Sequence, residues 1–263
     1  MTILDEIFAY KRIEVETRKH RIPLSDLRSS AEQAPPSPGF IQALRSAKCS
    51  PALIAEIKFA SPSKGVLVAN PAPVFLAQNY AANGAAAISV ITDEKYFHGH
   101  LDYLQHIHAV LPGVPLLRKD FICDPYQVYE ARLAGASALL LIAAHLAPAQ
   151  LADLHALALS LGMAALVEVH NRAELEAALQ LEGLGLLGVN NRDLHTFNVD
   201  LQTCLNLRPL VPAGICYVAE SGIHTTQDVH RLRRAGVDAM LIGEALVTAP
   251  DIAEKIRTFM APE

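Results

Sequence analysis

Eight short apolar runs, evenly spaced and separated by helical patterns, limit what this chain can fold into. They are LIAEI (53–57), AAISVI (86–91), VPLL (114–117), ALLLIA (138–143), AALVEV (164–169), LGLLGV (184–189), ICYVAE (215–220) and DAMLIG (238–243). Each is too short for a helix core and fits a strand buried on both faces. Helix signals fill the gaps. Asn70–Pro71 opens one helix and Gly84 closes it, and Asp124–Pro125 opens another that Gly135 closes. Asn171 with Glu174 has capping-box spacing, and Thr225 with Asp228 opens a helix ending at Gly236. Gly84, Gly135, Gly185 and Gly236 recur about every fifty residues, each just before a run, which makes the period two βα units. Strands alternating with helices pair in parallel. An open doubly wound sheet and a closed barrel compete, but eight even units and no GxGxxG after the first run favour the barrel. The expected fold is α/β, a (β/α)8 TIM barrel with an N-terminal helical extension. In that extension, residues 1–48, LDEIFAYKRIEVETRK and FIQALRSAK are expected to be helices joined through PPSPG, covering the barrel bottom or rim. With no linker long enough for a second domain, residues 1–263 are expected to form one.

Composition narrows the class. A chain that is 51% hydrophobic and 19% charged supports a large core. A net charge of -5 argues against nucleic-acid binding but leaves room for a small anion in a local field. Cys49, Cys123, Cys204 and Cys216 form no CxxC, which suits buried thiols in a reducing compartment. The opening MTILDEIFAYKRIEVETRK is broken by charges, unlike a signal peptide, and no apolar run approaches the ~20 residues of a membrane span. A cytoplasmic protein is expected.

In a (β/α)8 enzyme, chemistry collects where strands end. In AEIKFASPSKG, Glu56 and Lys58 share one strand face, because residues two apart point the same way. The third run leads into Arg118, Lys119, Asp120 and Phe121, and the fifth carries Glu168. The sixth leads into Asn190, Asn191 and Arg192, the seventh into Glu220, Ser221 and Gly222, and the eighth into Gly243 and Glu244. One such end reads as a structural ion pair. Several at the same relative place read as a site, since buried ion pairs add little net stability. Two lysines and three carboxylates suit proton transfer. Gly222 and Gly243 let backbone N–H groups approach an anion at the usual phosphate position of such barrels, with the Glu244 carboxylate turned away. The residues therefore reach a barrel enzyme acting by acid–base catalysis on a small phosphorylated substrate.

AEIKFASPSKG, LLRKDFICDPYQVYEAR, LVEVH, GVNNRDLHTF and VAESGI, in this order, resemble the indole-3-glycerol-phosphate synthase family of tryptophan biosynthesis. The resemblance implies conversion of 1-(2-carboxyphenylamino)-1-deoxyribulose 5-phosphate to indole-3-glycerol phosphate, with loss of CO2 and water and no cofactor or metal. It implies that Lys119 is the general acid of ring closure. Lys58 and Glu56 would be acid and base of the later proton transfers. Glu168 and Asn190 would orient the lysine and the substrate, and Glu220 and Ser221 would belong to the active site. Ser61, Phe121 and Arg192 would contact substrate, and Gly222, Gly243 and Glu244 would hold its phosphate. The only expected partner is this small anthranilate-derived molecule, with no nucleic acid or membrane. The protein is expected to act as a monomer, or at most a weak dimer.

Two places depart from the family pattern. Phe59 stands where Arg or Lys is usual and should point toward the helices. Tyr96 and His100 in YFHGH replace the commoner Phe and Ser, in a loop placed to close the site. His98, His100, His106 and His108 invite a metal reading, but His106 and His108 are two apart on a helix and diverge, so surface histidines are expected. His170, His195 and His224 read as loop hydrogen-bonding residues, Arg118 and Asp120 as an outward-facing structural pair, and RLRRAG (231–236) as a solvated helix end. The rivals are an isomerase-like barrel acting on a phosphoribosyl substrate, a flavin-binding barrel and a catalytically silent partner subunit.

Overall fold

The computed structural model describes residues 2–193 and 196–262. Eight parallel strands close a barrel: β1 (Ala52–Ile57), β2 (Ala87–Ile91), β3 (Leu116–Lys119), β4 (Ala138–Ile142), β5 (Ala164–Val169), β6 (Leu186–Asn190), β7 (Cys216–Glu220) and β8 (Ala239–Ile242). Closure is made by β1, which pairs with β2 on one side and β8 on the other. The strands are buried almost throughout, the condition that erases polar alternation from their sequences.

The largest boundary difference is at β3. VPLL (114–117) was expected to be the strand, but β3 starts at Leu116 and runs through Lys119. Pro115 ends the approach, its carbonyl accepting from Ile88 N, and the ladder continues until the Lys119 carbonyl accepts from Thr92 N. Arg118 and Lys119 are thus strand residues. The third of the spaced glycines also differs: the left-handed turn before β6 falls on Gly183 (φ +72), not on Gly185.

Helix starts follow the expected chemistry with two exceptions. Asp124 and Thr225 cap their helices, and Thr225 with Asp228 makes a full capping box. The helix expected from Asn70 begins instead at Pro73, the second of two prolines, which takes the first-turn position. At Asn171 the side chain caps Glu174 N, but the return bond from Glu174 goes to His170 N, one residue earlier.

Three helices precede the barrel: α1 (Ile3–Arg21), α2 (Leu24–Glu32) and α3 (Phe40–Arg45). The stretch read as one long helix and a linker thus contains an additional helix, α2, which follows Pro23 without a side-chain cap. With Val15 of α1, its Leu27 and Ala31 pack on Tyr126 and Tyr129 in a small separate core. α3 lies at the barrel bottom, where Arg45 donates to the Gly214 carbonyl and Ile41 approaches Gly185. α1 lies across the mouth.

A buried ion network anchors α1 there. Lys11 Nζ is 2.9 Å from Asp93 and 3.0 Å from Asp120, with all three side chains fully buried. Asp120 also pairs with Arg118 (2.9 Å), and Glu130 joins Arg118 to Arg18 of α1 (3.2 Å each). The Arg118–Asp120 pair is structural and faces the helices, as the alternation around Lys119 requires.

Candidate active site

Odd-numbered strands supply one layer of the barrel interior, and here that layer is charged. Glu56 on β1, Lys119 on β3, Glu168 on β5 and Glu220 on β7 all line the same pocket. Lys119 Nζ is 3.3 Å from Glu168 Oε2 and donates a hydrogen bond to Glu220 Oε2. The approach of Lys119 to Glu168 follows from strand parity; Glu220 is a second partner that strand parity allows but does not single out. Lys58 lies over the next turn, its Nζ 3.1 Å from Glu56 Oε1. Asn190 Nδ2 donates to Glu168 Oε1 at 3.2 Å.

These charges shift one another. Burial disfavours the Lys119 cation, but Glu220, Glu168 and Glu56 outweigh it and hold the ammonium well above its usual range. Burial also works against the Glu168 charge, but Lys119, His170 and Asn190 overcome it, and that carboxyl sits well below the usual range. Glu220 goes the other way. Burial, with the negative charge of Glu168 adding to it, pushes it up to about 7 despite Lys119. Two similar carboxylates, Glu168 and Glu220, are thereby pushed in opposite directions by their surroundings.

Two glycines make room for this layer. A Cβ at Gly188 on β6 would overlap Glu220 Oε1, and a Cβ at Gly243 would lie 2.5 Å from Glu56 Oε1. Gly243 was expected to spare space for phosphate; its nearest neighbour is a carboxylate of the charged layer.

The remaining candidates frame the mouth. Ser61 lies in a two-residue ladder, Ala60–Ser61 against Gly65–Val66, which folds SPSKG into a tight hairpin. Glu244 Oε1 is 3.6 Å from Lys64 Nζ of that hairpin. Ser221 and Gly222 both take positive φ (64° and 77°), turning the chain sharply after β7. A side chain at Gly222 would be strained and would also meet Val199 at 2.6 Å. Buried Asn191 pins that turn: Nδ2 donates to the Glu220 and Ser221 carbonyls (3.0 and 3.1 Å) and Oδ1 accepts from Cys204 N (2.9 Å). Arg192 lines the pocket, and its side chain reaches the Phe197 carbonyl.

Opposite the charged layer the wall is apolar. Ile3, Leu4 and Ile7 of α1, Phe97 and Phe121 contribute, with Phe8 edge-on to Phe121 at 5.6 Å. None of these but Phe121 was a sequence candidate. In the YFHGH loop it is Phe97 that lines the pocket. Tyr96 donates to Glu6 of α1, and His100 caps the helix Leu101–Val110 through Nδ1, the place a serine hydroxyl would take. Phe59 is buried edge-on against Tyr103, toward the helices. His224 borders the pocket while its backbone N donates to Asp228. His195 lies outside the described residues.

Comparisons with known proteins bear on the chain as a whole. The profile of the family described as indole-3-glycerol phosphate synthase matches residues 4–259. A relative of that name from Roseiflexus castenholzii is 54% identical over 263 residues, covering 97% of each chain. Another from Dehalococcoides mccartyi is 49% identical over 260 residues, covering 98% of this chain and all of the relative. Among solved structures, 3-hexulose-6-phosphate synthase from Salmonella typhimurium superposes with a TM-score of 0.64 at 15% identity, covering 80% of this chain and 96% of that one, a likeness of fold alone. A charged odd-strand layer under an apolar wall, on a barrel whose relatives match along nearly their whole length, leaves no ambiguity of family: the chain belongs to the indole-3-glycerol phosphate synthases.

Proposed function

We propose that the mouth of this barrel performs the family's ring closure, with Lys119 as first acid. The substrate is 1-(2-carboxyphenylamino)-1-deoxyribulose 5-phosphate. As the carboxylate-bearing ring carbon attacks the ketone carbon, Lys119 protonates the carbonyl oxygen. CO2 then leaves, and the electrons of its bond restore the aromatic ring. The resulting hydroxyl departs as water with a proton from Lys58, while Glu56, 3.1 Å from Lys58, takes the proton from the neighbouring CH2 carbon. Glu168 and Asn190 orient Lys119, and Glu220, neutral or ionised near pH 7, stabilises whichever form of Lys119 is present. The apolar wall of Ile3, Leu4, Ile7, Phe97 and Phe121 takes the aromatic ring, and Ser61 and Arg192 contact the substrate at the mouth.

The phosphate is assigned to the β7 and β8 ends. Ser221–Gly222 is a sharp turn, and Gly243 precedes the helix Glu244–Val247. There the Leu246 and Val247 N–H groups donate to the Gly243 carbonyl, and those of Glu244 and Ala245, ahead of them, belong to the helix start that has no partner within the helix. The pairing of Glu244 with Lys64 supports the expectation that this carboxylate turns from the anion. The reading carries with it a single functional unit over 1–263, with 1–48 as its helical extension. It also implies a cytoplasmic monomer, or at most a weak dimer, working without cofactor or metal.

One observation supports the assignment: a half-buried lysine held between two buried carboxylates in a pocket with an apolar wall. A general acid must hold its proton before delivering it, and this surrounding keeps it there. Lys119→Met preserves much of the volume but removes proton and charge. Single-turnover indole formation should fall at least about 10²-fold, the usual contribution of a positioned acid, with circular dichroism unchanged. A folded variant with near wild-type turnover would transfer the role to Lys58.

A further inference from the structure

His170 follows β5 directly, and the reaction as assigned gives it no role. Its Nε2 lies 3.2 Å from Glu168 Oε1 and its Nδ1 3.0 Å from Glu174 Oε2, with only 9% of the side chain exposed. Glu174 is fixed in turn: its Oε2 accepts from His170 N, its Oε1 from Asn171 Nδ2, and its own N donates to Asn171 Oδ1. A carboxylate–imidazole–carboxylate array therefore runs from Glu168, 4% exposed, to Glu174, 20% exposed, joined by a hydrogen bond on the Glu174 side and by an ion-pair contact without hydrogen-bond geometry on the Glu168 side. Two carboxylates at ion-pair distance from the two nitrogens of one ring favour its doubly protonated form.

We propose that His170 is a positioning residue for Glu168: as an imidazolium clamped between Glu168 and Glu174, it keeps Glu168 ionised and turned toward Lys119. The idea rests on the assignment of Lys119 as the acid. Were Glu168 neutral, Lys119 would lose one of the three carboxylates that keep its proton in place. The other charged groups around Glu168 act in opposite senses. Lys119 on β3 also favours an ionised Glu168, whereas Glu220 on β7 disfavours it, so a second cation is needed on the far side. Asn190 on β6 is uncharged and holds only the orientation of Oε1. His145, in the turn packed against the Arg172–Ala178 helix, pairs with Asp5, and Arg172 pairs with Glu176; neither competes for Glu168. Burial disfavours the charged ring, but the two carboxylates outweigh it and push His170 up to about 10.

The test uses the whole chain. In 15N NMR of the histidine rings, His170 should stay doubly protonated at pH 7.5, and Glu174→Gln should lower its titration midpoint. A singly protonated His170 at pH 7.5 overturns the proposal. In pH profiles of kcat, His170→Asn should move the acid limb upward by about one unit or more, the usual effect of removing an opposite charge at this distance from a carboxylate. A His170→Asn profile that is lower but superimposable on wild type after scaling also overturns it, since loss of structure alone scales a profile without shifting it. The ring titration separates this idea from the acid assignment. If Lys119→Met leaves turnover intact while His170 remains doubly protonated, the clamp stands and the role of Lys119 falls.

Discussion

Gly243 at the end of β8 stands directly against Glu56 of β1: a Cβ there would lie 2.5 Å from Glu56 Oε1 and 3.2 Å from its Cβ. Space at Gly243 is thus space for the Glu56 carboxylate, which pairs with Lys58. Gly243→Ala should push Glu56 from Lys58 and lower kcat about tenfold or more, as displaced acid–base groups do. A rise in KM for the phosphorylated substrate with kcat unchanged would return Gly243 to a purely phosphate role.

Glu220 offers a pH-dependent signature. Burial pushes its carboxyl up to about 7, from about 4.3 in the unfolded chain. Such a group contributes stability that is full below the unfolded value and is lost as pH rises through about 7. Glu220→Gln keeps an acceptor for Lys119 but never ionises. Relative to wild type its Tm should therefore climb between pH 5 and pH 8, by roughly 2–4 °C for each kcal/mol in a chain of this size. A Tm difference that stays flat with pH would mean that Glu220 does not titrate in this range.

Most of the barrel was legible because strands buried on both faces leave continuous apolar runs, and turns between units leave glycine. Gly135 illustrates it: it has φ +87, and any Cβ would overlap the His108 ring, so both backbone and space demand glycine. Strand ends were legible as polar residues breaking apolar runs. What could not be read was which ends touch. Lys119 meets Glu220 because both belong to odd strands and point inward at the same height, and height around a closed barrel depends on stagger that no local stretch records. The apolar wall from α1 was missed for a related reason. Ile3, Leu4 and Ile7 look like any buried helix face until the mouth beneath them is known. Phe97 was hidden between Tyr96 and His100, whose polarity drew notice but serves the loop's attachment to α1 and a helix cap.

Lys11 of α1 is fully buried between Asp93 and Asp120. Removing one partner of such a cluster leaves uncompensated buried charge, at a cost of about 3–5 kcal/mol. Lys11→Met should lower unfolding free energy by this order at pH 7. Burial opposes the Asp120 charge, but Lys11 and Arg118 hold that carboxyl far below the usual range. Its stabilisation is present above the unfolded value near 3.9 and is lost only as pH falls toward the depressed folded one. The penalty of Lys11→Met should therefore shrink as the pH is lowered through 4, where the freed carboxylates take up protons. Denaturant titrations at pH 7 and pH 4 check this, and a penalty below about 1 kcal/mol at pH 7 would mean that the cluster is not energetically coupled.

Asn191 stands in sequence between Asn190 and Arg192 with no role of its own assigned, yet it is the most deeply buried of the three. Its amide holds the Glu220 and Ser221 carbonyls, and its oxygen takes Cys204 N, so one side chain joins the β7 exit to the helix Gln202–Leu207. The exit needs that support, because Ser221 is held at φ +64, a conformation costing on the order of 1–3 kcal/mol outside glycine. Asn191→Ala removes three buried hydrogen bonds worth about 1 kcal/mol each, so the protein should lose roughly 2–3 kcal/mol. The strained turn is then free to relax toward negative φ, which turns its N–H groups away from the proposed phosphate position. The expected kinetic result is a KM for the phosphorylated substrate raised about tenfold, with kcat at saturation changed less, because the Lys119 contacts come from side chains on rigid strands. Asn191→Asp keeps the acceptor for Cys204 N and loses the two donated bonds, so it should reproduce most of the KM effect. If Asn191→Ala is destabilised but its KM is unchanged, the β7 turn does not carry the phosphate, and the loop after β8 must do so alone.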